Sequence, residues 1–242
     1  LDVPTIITPL LHADQESTYN IGYQRDALSG ADHVLAVTSA ERELLLDLGL
    51  DPWQVSVSGS GLRPEAYESG LALDPTTARR RLGLDQDGFV ILFLGRKSDY
   101  KGLDLALDAF AGLRSQQPDI QLLAIGPETD YSRKLWSRYQ GLEGLHVFGA
   151  VSDEEKLAAL RACDCLALPS IGESFGIVYL EAWLMGKPVI GARTRAVASV
   201  IHHGRDGLLV APGDRVDLAA SLWHLAADPE TAQQMGANGR EK

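Results

Sequence analysis

Short apolar runs, several of them continuously apolar, alternate along this chain with longer stretches whose apolar positions recur every three or four residues. The runs fall at 89–94, 120–125, 145–148, 164–168, 188–191 and 208–210. Val90-Ile91-Leu92-Phe93-Leu94 contains no polar position, whereas a strand with one wet face alternates. Such runs predict strands covered on both faces, as in a parallel sheet flanked by helices. Between them, Leu103, Leu107, Phe110 and Leu113 recur at helical spacing. Ser152, followed by Asp153-Glu154-Glu155, supplies a capping residue and acids at a helix start. Asp214 and Asp217 open a helix over 216–227, and Asp228-Pro229 ends it and begins the next. The same alternation occurs earlier, with strands at 5–8, 33–37 and 55–58 and helices at 18–29 and 40–48. Gly59-Ser60-Gly61-Leu62-Arg63-Pro64 then reads as a crossing between two lobes. Repeated strand–helix–strand units imply an α/β fold with a right-handed, doubly wound parallel sheet. Ligands in such folds bind beyond the carboxyl ends of the strands.

Composition narrows the function classes. The 242 residues are 45% hydrophobic and 23% charged, which excludes wholesale disorder. Lys and Arg total 22 against 33 Asp and Glu, a net charge of −11, so nucleic acid is not an expected partner. No apolar run is long enough to span a bilayer. The opening lacks the basic-then-apolar pattern of a signal peptide and reads as a chain starting inside a domain. The two cysteines, Cys163 and Cys165, make neither a disulfide framework nor a zinc cluster. They are expected as small buried hydrophobes on one strand face, and their scarcity fits a reducing cytoplasm.

Two segments carry candidate chemistry. A buried strand ends at Gly95, and the next loop presents Arg96 and Lys101. A guanidinium forks onto phosphate and an ammonium supplies a mobile point charge. Such a pair at the carboxyl edge of a sheet suits a diphosphate; the plainer alternative is a solvated surface loop. Neither a Walker A loop nor a Gly-x-Gly-x-x-Gly fingerprint occurs, since Gly59-Ser60-Gly61 lacks the third glycine. The second segment is Pro169-Ser170-Ile171-Gly172-Glu173-Ser174-Phe175-Gly176-Ile177. A helix expected from Ser174 or Phe175 would point free backbone N–H groups at the sheet edge and favour an anion. Gly172 and Gly176 allow close backbone approach. Glu181 lies about two turns into an otherwise apolar helix. A carboxylate there is costly unless it is bonded, and sugar or ribose hydroxyls are suitable donors. The alternative is a capping Glu173 and an exposed Glu181.

Taken in order, Gly95-Arg96, Lys101-Gly102, Val147-Phe148-Gly149-Ala150-Val151-Ser152, Pro169-Ser170, the Glu173-x7-Glu181 pair and Gly186-Lys187-Pro188-Val189-Ile190 closely resemble one lobe of a known family. It is the donor-binding lobe of the retaining GT-B glycosyltransferases of family 4, the glycosyl transferases group 1. The resemblance runs from about Phe89 to the C-terminus. Before it, Val3 to His12, Ala31-Asp32-His33-Val34 with Glu41, and Gly61-Leu62 resemble the end of the family's acceptor lobe.

The resemblance implies a GT-B, Rossmann-like architecture. Residues 63–242 would form a complete C-terminal donor lobe, and residues 1–62 the end of a truncated N-terminal lobe. It also implies a retaining, metal-independent glycosyltransferase using a UDP-, GDP- or ADP-linked sugar as co-substrate and no other cofactor. Arg96 and Lys101 would hold the diphosphate and stabilise the leaving nucleotide. Phe175, Gly176 and Ile177 would offer backbone N–H groups, Glu173 would bond the sugar, Glu181 the ribose, and Val151 would touch the base. His12 would approach the sugar from the other lobe. No metal is expected, because no His, Asp or Cys cluster has ligand spacing.

The sequence departs from the family in lacking its early acceptor-lobe strands and its terminal helix, which makes the chain look like a fragment. Isolated, it is expected to bind nucleotide without completing transfer. A binding module without turnover, paired with a missing N-terminal half, is the alternative; a GT-B-like nucleotide-sugar epimerase is a third reading. The acceptor is not readable, and a peripheral membrane contact of a full-length protein stays open. A further departure, Arg193-Thr194-Arg195, reads either as a contact to phosphate or a charged acceptor or as a salt-bridged surface loop.

Overall fold

A computed structural model describes residues 3–12 and 22–242. Its contacts divide the chain into two compact units, one comprising Leu1–Gly61 with Gly172–Ile177 and Thr194–Val200, the other Leu62–Ile171, Val178–Arg193 and Ile201–Lys242.

The first unit holds a parallel sheet of β1 (Ile6–Ile7), β2 (His33–Ala36) and β3 (Val55–Val57), in that order. The helices between them are α1 (Gly22–Ser29) and α2 (Ser39–Asp47). Of the helix expected over 18–29, residues 18–21 lie outside the described residues. Leu28, Val34, Ala36, Leu44, Leu45 and Val55 form its core. Thr38 caps α2 by accepting from the Glu41 N–H at 3.0 Å.

The second unit opens with two short helices that the apolar pattern did not announce, α3 (Glu68–Ala72) and α4 (Pro75–Arg81). Its strands are β4 (Val90–Leu94), β5 (Gln121–Ile125), β6 (Leu145–Phe148), β7 (Cys165–Leu168), β8 (Val189–Ala192) and β9 (Gly207–Val210). The helices are α5 (Leu103–Arg114), α6 (Asp130–Leu135), α7 (Asp153–Ala162), α8 (Ile177–Leu184), α10 (Arg215–Ala227) and α11 (Pro229–Arg240); the four-residue α9 (Arg195–Ala198) falls in the first unit. All strand pairs are parallel. The order across the sheet is β6-β5-β4-β7-β8-β9. Successive strands therefore step outward from β4 to one edge, then return to its other side. That reversal places a crevice beyond the carboxyl ends of β4 and β7, the switch point where doubly wound sheets bind ligands.

The apolar runs are buried as their composition requires: every residue of β4, β5, β7, β8 and β9 is inaccessible or nearly so. Only the edge strand β6 is half exposed. Ser152 and Glu155 form a reciprocal capping box at the start of α7. Two expectations need correction. Cys163 is not on a strand; it follows the last residue of α7, and its N–H still bonds to Ala159 O at 3.1 Å. The helix expected from 174 or 175 begins at Ile177, because Gly176 lies in the left-handed region at φ +83° and breaks the helical run before it.

Gly126 connects this fold to the site. At φ +144° it takes a backbone conformation that side chains resist, and a Cβ there would lie 1.9 Å from the carbonyl oxygen of Gly95. The two loops after β4 and β5 touch backbone to backbone, which only glycine permits. Gly126→Ala is expected to lower stability by about 3 kcal/mol through strain and overpacking. Gly149→Ala, where an added Cβ meets nothing within 4 Å, should be nearly neutral. Urea denaturation of the two variants side by side tests this, and equal midpoints would refute the close-approach argument.

Candidate functional site

The loops at the carboxyl edge of the larger sheet enclose a pocket of about 280 Å³. Its walls come from three strand ends: Gly95 and Arg96 after β4, Gly126 and Pro127 after β5, and Ala150 and Val151 after β6. The fourth wall is helical, with Lys156 from α7 and Val178 and Glu181 from α8. A larger cavity of about 820 Å³ lies at the opposite, amino edge, against Phe89, Ile120 and Pro188. Size alone would favour it, but ligands of doubly wound sheets gather at the carboxyl edge, so the smaller pocket is the candidate site.

Arg96 is solvent-exposed at the mouth of this pocket. The next residue, Lys97, is turned inward and completely buried. Its ammonium pairs with Glu128, donates to Phe148 O at 2.7 Å and sits 5.4 Å from the centre of the Trp136 ring. Glu128 in turn accepts from Ser132 Oγ at 2.6 Å and Trp136 Nε1 at 2.9 Å. Burial pushes the Glu128 carboxyl upward, but these bonds and the Lys97 charge outweigh it and hold the group below the usual carboxylate range. The bond from Thr129 Oγ1 to Lys97 O, at 2.6 Å, ties the two loops again. One inward lysine therefore anchors the strand end from which Arg96 points out.

Lys101 ends the short 3-10 turn Asp99–Lys101 just before α5, with its ammonium 5.2 Å from the Tyr100 ring centre. It is not among the residues lining the pocket. Between the two cations, the hydroxyl of Ser98 is buried and has no hydrogen-bond partner among the described residues.

Glu181 is neither exposed nor isolated. It is 5% exposed. Its Oε1 accepts from Tyr67 Oη at 2.8 Å and from Lys156 Nζ at 2.9 Å. Burial alone would lower the Lys156 pKa, but the Glu181 bond and charge outweigh it and raise it. The Tyr67 phenol is pushed far above its normal range, first by burial and then by Glu181. Neither partner was singled out from the sequence. Tyr67 stands 114 residues from Glu181, and Lys156 reads there as one more charge in an acidic first turn.

The remaining expected site residues belong to the first unit. Glu173 and Gly176 are buried, Phe175 is half-buried, and Ile177 is exposed. His12 is half-buried and follows Leu11, whose N–H donates to Glu41 Oε1. Glu41, fully buried, also accepts from the Val37 N–H through Oε2 at 2.7 Å. Burial raises the Glu41 carboxyl above its usual range against the pull of those two amides and of His12. This carboxylate staples the loop bearing His12 to the end of β2. In the 193–195 segment, Arg193 Nη2 donates to Leu209 O at 3.1 Å and Arg195 pairs with Glu43 at 3.1 Å.

Comparison with known proteins places this geometry. The D-inositol 3-phosphate glycosyltransferase of Stackebrandtia nassauensis is 32% identical over 227 residues, covering 88% of this chain and 50% of that protein. D-inositol 3-phosphate glycosyltransferase 2 of Catenulispora acidiphila is 32% identical over 241 residues, covering 94% and 56%. The chain thus spans about half the length of these relatives. Among solved structures, Anabaena Alr3699/HepE in complex with UDP-glucose superposes with a TM-score of 0.84 at 24% identity, over 98% of this chain and 66% of that one. The fold is α/β, with parallel sheets that match GT-B glycosyltransferase structures such as WaaG (TM-score 0.80, 19% identity, 99% of this chain and 70% of that one). Residues 74–242 match the family described as Glycosyl transferases group 1, and the chain belongs to that family.

Proposed function

We propose that the protein is a retaining, metal-independent glycosyltransferase of family 4, and that this chain supplies its nucleotide-sugar donor site. The observation that carries the reading is the pocket at the switch-point edge, where Arg96, Val151 and Glu181 line one cavity. Its parts match a nucleotide diphosphate. Arg96 offers a fork for phosphate oxygens, and Lys101 is the second cation from the same loop. Glu181 offers a carboxylate oxygen to the ribose hydroxyls, and the loop at Val151 offers backbone groups to the base. As the glycosidic bond lengthens, negative charge grows on the departing diphosphate, and the cations stabilise it. Glu173 bonds the sugar, the N–H groups of Phe175, Gly176 and Ile177 receive its oxygens or the phosphates, and His12 approaches the reacting sugar. The relative solved with UDP and UDP-glucose makes UDP the first donor base to test. Cytoplasmic residence follows from a cytosolic nucleotide-sugar substrate. On its own the chain binds the donor without completing transfer, which needs a whole second lobe around the sugar.

The test is a thermal-shift panel of UDP, GDP, ADP and their sugars. A ligand that binds only the folded state adds about 2.7 kcal/mol at a hundred times its Kd. For a domain of this size that is roughly 5–10 °C. One nucleoside diphosphate and its sugar should stand out by that margin. A flat panel at millimolar concentrations would sink the donor-site reading.

A further inference from the structure

Both hydrogen bonds to Glu181 end on the same oxygen. Tyr67 Oη lies 2.8 Å and Lys156 Nζ 2.9 Å from Oε1, while Oε2 has no partner among the described residues. The carboxylate is 5% exposed and lines the pocket. A buried carboxylate free to rotate would lose configurational freedom on binding a ligand, and its bonds would be weak for that reason. Here the two donors come from different elements. Tyr67 lies in the 3-10 turn Pro64–Tyr67 before α3, and Lys156 lies in the first turns of α7. Lys156 also sits 5.7 Å from the centre of the Tyr67 ring, and its ammonium approaches Asp153 at 3.5 Å. The ring and the ammonium therefore brace each other as well as the carboxylate.

We propose that Tyr67 and Lys156 are positioning residues that occupy Oε1 of Glu181 and so present Oε2 to the vicinal hydroxyls of a ribose, making the pocket selective for ribonucleotides. This rests on the donor-site reading above. The chemistry explains why two donors share one oxygen. Two bonds on Oε1 engage both of its lone pairs and leave those of Oε2 for the two hydroxyls of a ribose, whereas one bond on each oxygen would leave the remaining acceptor sites facing apart; with neither oxygen bonded, the carboxylate would present no fixed direction. A site built to receive a hydroxyl rejects the analogue lacking it more strongly than apolar contacts can, because the buried acceptor is left unpaired.

Calorimetric titration of the same chain tests this. The probes are whichever of UDP, GDP or ADP gives the largest thermal shift, and its 2′,3′-dideoxy form. The unaltered protein is expected to prefer the ribonucleotide at least tenfold. Tyr67→Phe should cut that preference several-fold while leaving affinity for the dideoxy form unchanged. Lys156→Met should do the same, and Lys156→Arg should restore part of it. If the protein binds both nucleotides equally, the ribose assignment fails while the donor site stands. If it binds neither, the donor site fails too. If Lys156→Met weakens both nucleotides by the same factor, Lys156 is a direct phosphate ligand and its positioning role is overturned. If Tyr67→Phe changes neither affinity nor preference, Tyr67 has no part in it. Thermal unfolding of each variant separates these outcomes from loss of fold.

Discussion

Glu128→Gln is expected to destabilise the larger unit by about 3–5 kcal/mol, because it leaves a charged ammonium in the interior with no counter-charge. The asymmetry of the pair sets the expectation. The Lys97 side chain is 0% exposed, whereas 29% of the Glu128 side chain still reaches solvent. Removing the carboxylate therefore strands the member that water cannot rescue. Phe148 O would still accept from Lys97 Nζ, but a carbonyl dipole does not neutralise a cation. Lys97→Met should cost less, since replacing a buried charge by an apolar side chain of similar length is often close to neutral. The pH dependence has a definite sign. The Glu128 carboxyl is held lower in the folded chain than its ordinary value by Lys97, Ser132 and Trp136, against the opposing effect of burial. Its contribution is complete above the usual carboxylate pKa of about 4.3. It is lost as the pH falls through the lower folded-state value, where folded and unfolded chains both take up the proton. Urea melts should show a constant gap between wild type and Glu128→Gln from neutral pH down to about 5, narrowing below about 4. A variant within about 0.5 kcal/mol of wild type at pH 7 would show that the pair is not a structural anchor.

That pair also shows where a sequence stops being informative. Arg96 and Lys97 are adjacent cations at a strand end, and nothing in their order says that one faces water while the other is buried. The direction is set by Glu128, on the loop after a neighbouring strand. The strands themselves were legible because burial on both faces demands mostly apolar runs, and β4 to β9 fall within a residue or two of those runs. Helix starts were legible where a cap announced them, as at Ser152 and Asp214. The short helices α3, α4 and α6 were not, since five to seven residues are too few to show a period. For the site, spacing led to Arg96 and Glu181, which the fold places in one pocket. It did not lead to Tyr67 or Lys156, whose role depends on a contact made only after the chain has returned to the sheet. Spacing reports on what one element does; the second partner of a carboxylate is decided by topology.

Arg96→Ala is expected to weaken binding of the preferred nucleoside diphosphate by about 10- to 100-fold, the worth of a charge-assisted bond between a guanidinium and a phosphate. Three features make this loss specific. Arg96 lies at the mouth of the pocket and is exposed, so its removal creates no cavity and should leave the unfolding midpoint almost unchanged. Its backbone is fixed from both sides, by the Gly95 N–H bonded to Ile125 O at 3.0 Å and by the buried Lys97 that follows, so the neighbouring loop will not collapse to compensate. The lost interaction is also partly screened by salt, which predicts that the gap between wild type and variant shrinks between low and high ionic strength. Arg96→Lys should recover only part of the affinity, since an ammonium supplies the charge without the fork. Under the proposed function, the same substitution should lower kcat of transfer beyond the loss of binding, by up to about 10²–10³-fold, because the diphosphate would carry more charge in the transition state than in the bound donor. Calorimetry and turnover measurements read the two effects separately. Unchanged nucleotide affinity in Arg96→Ala, with the fold intact, would remove the diphosphate from this edge of the sheet and leave the pocket without its defining charge.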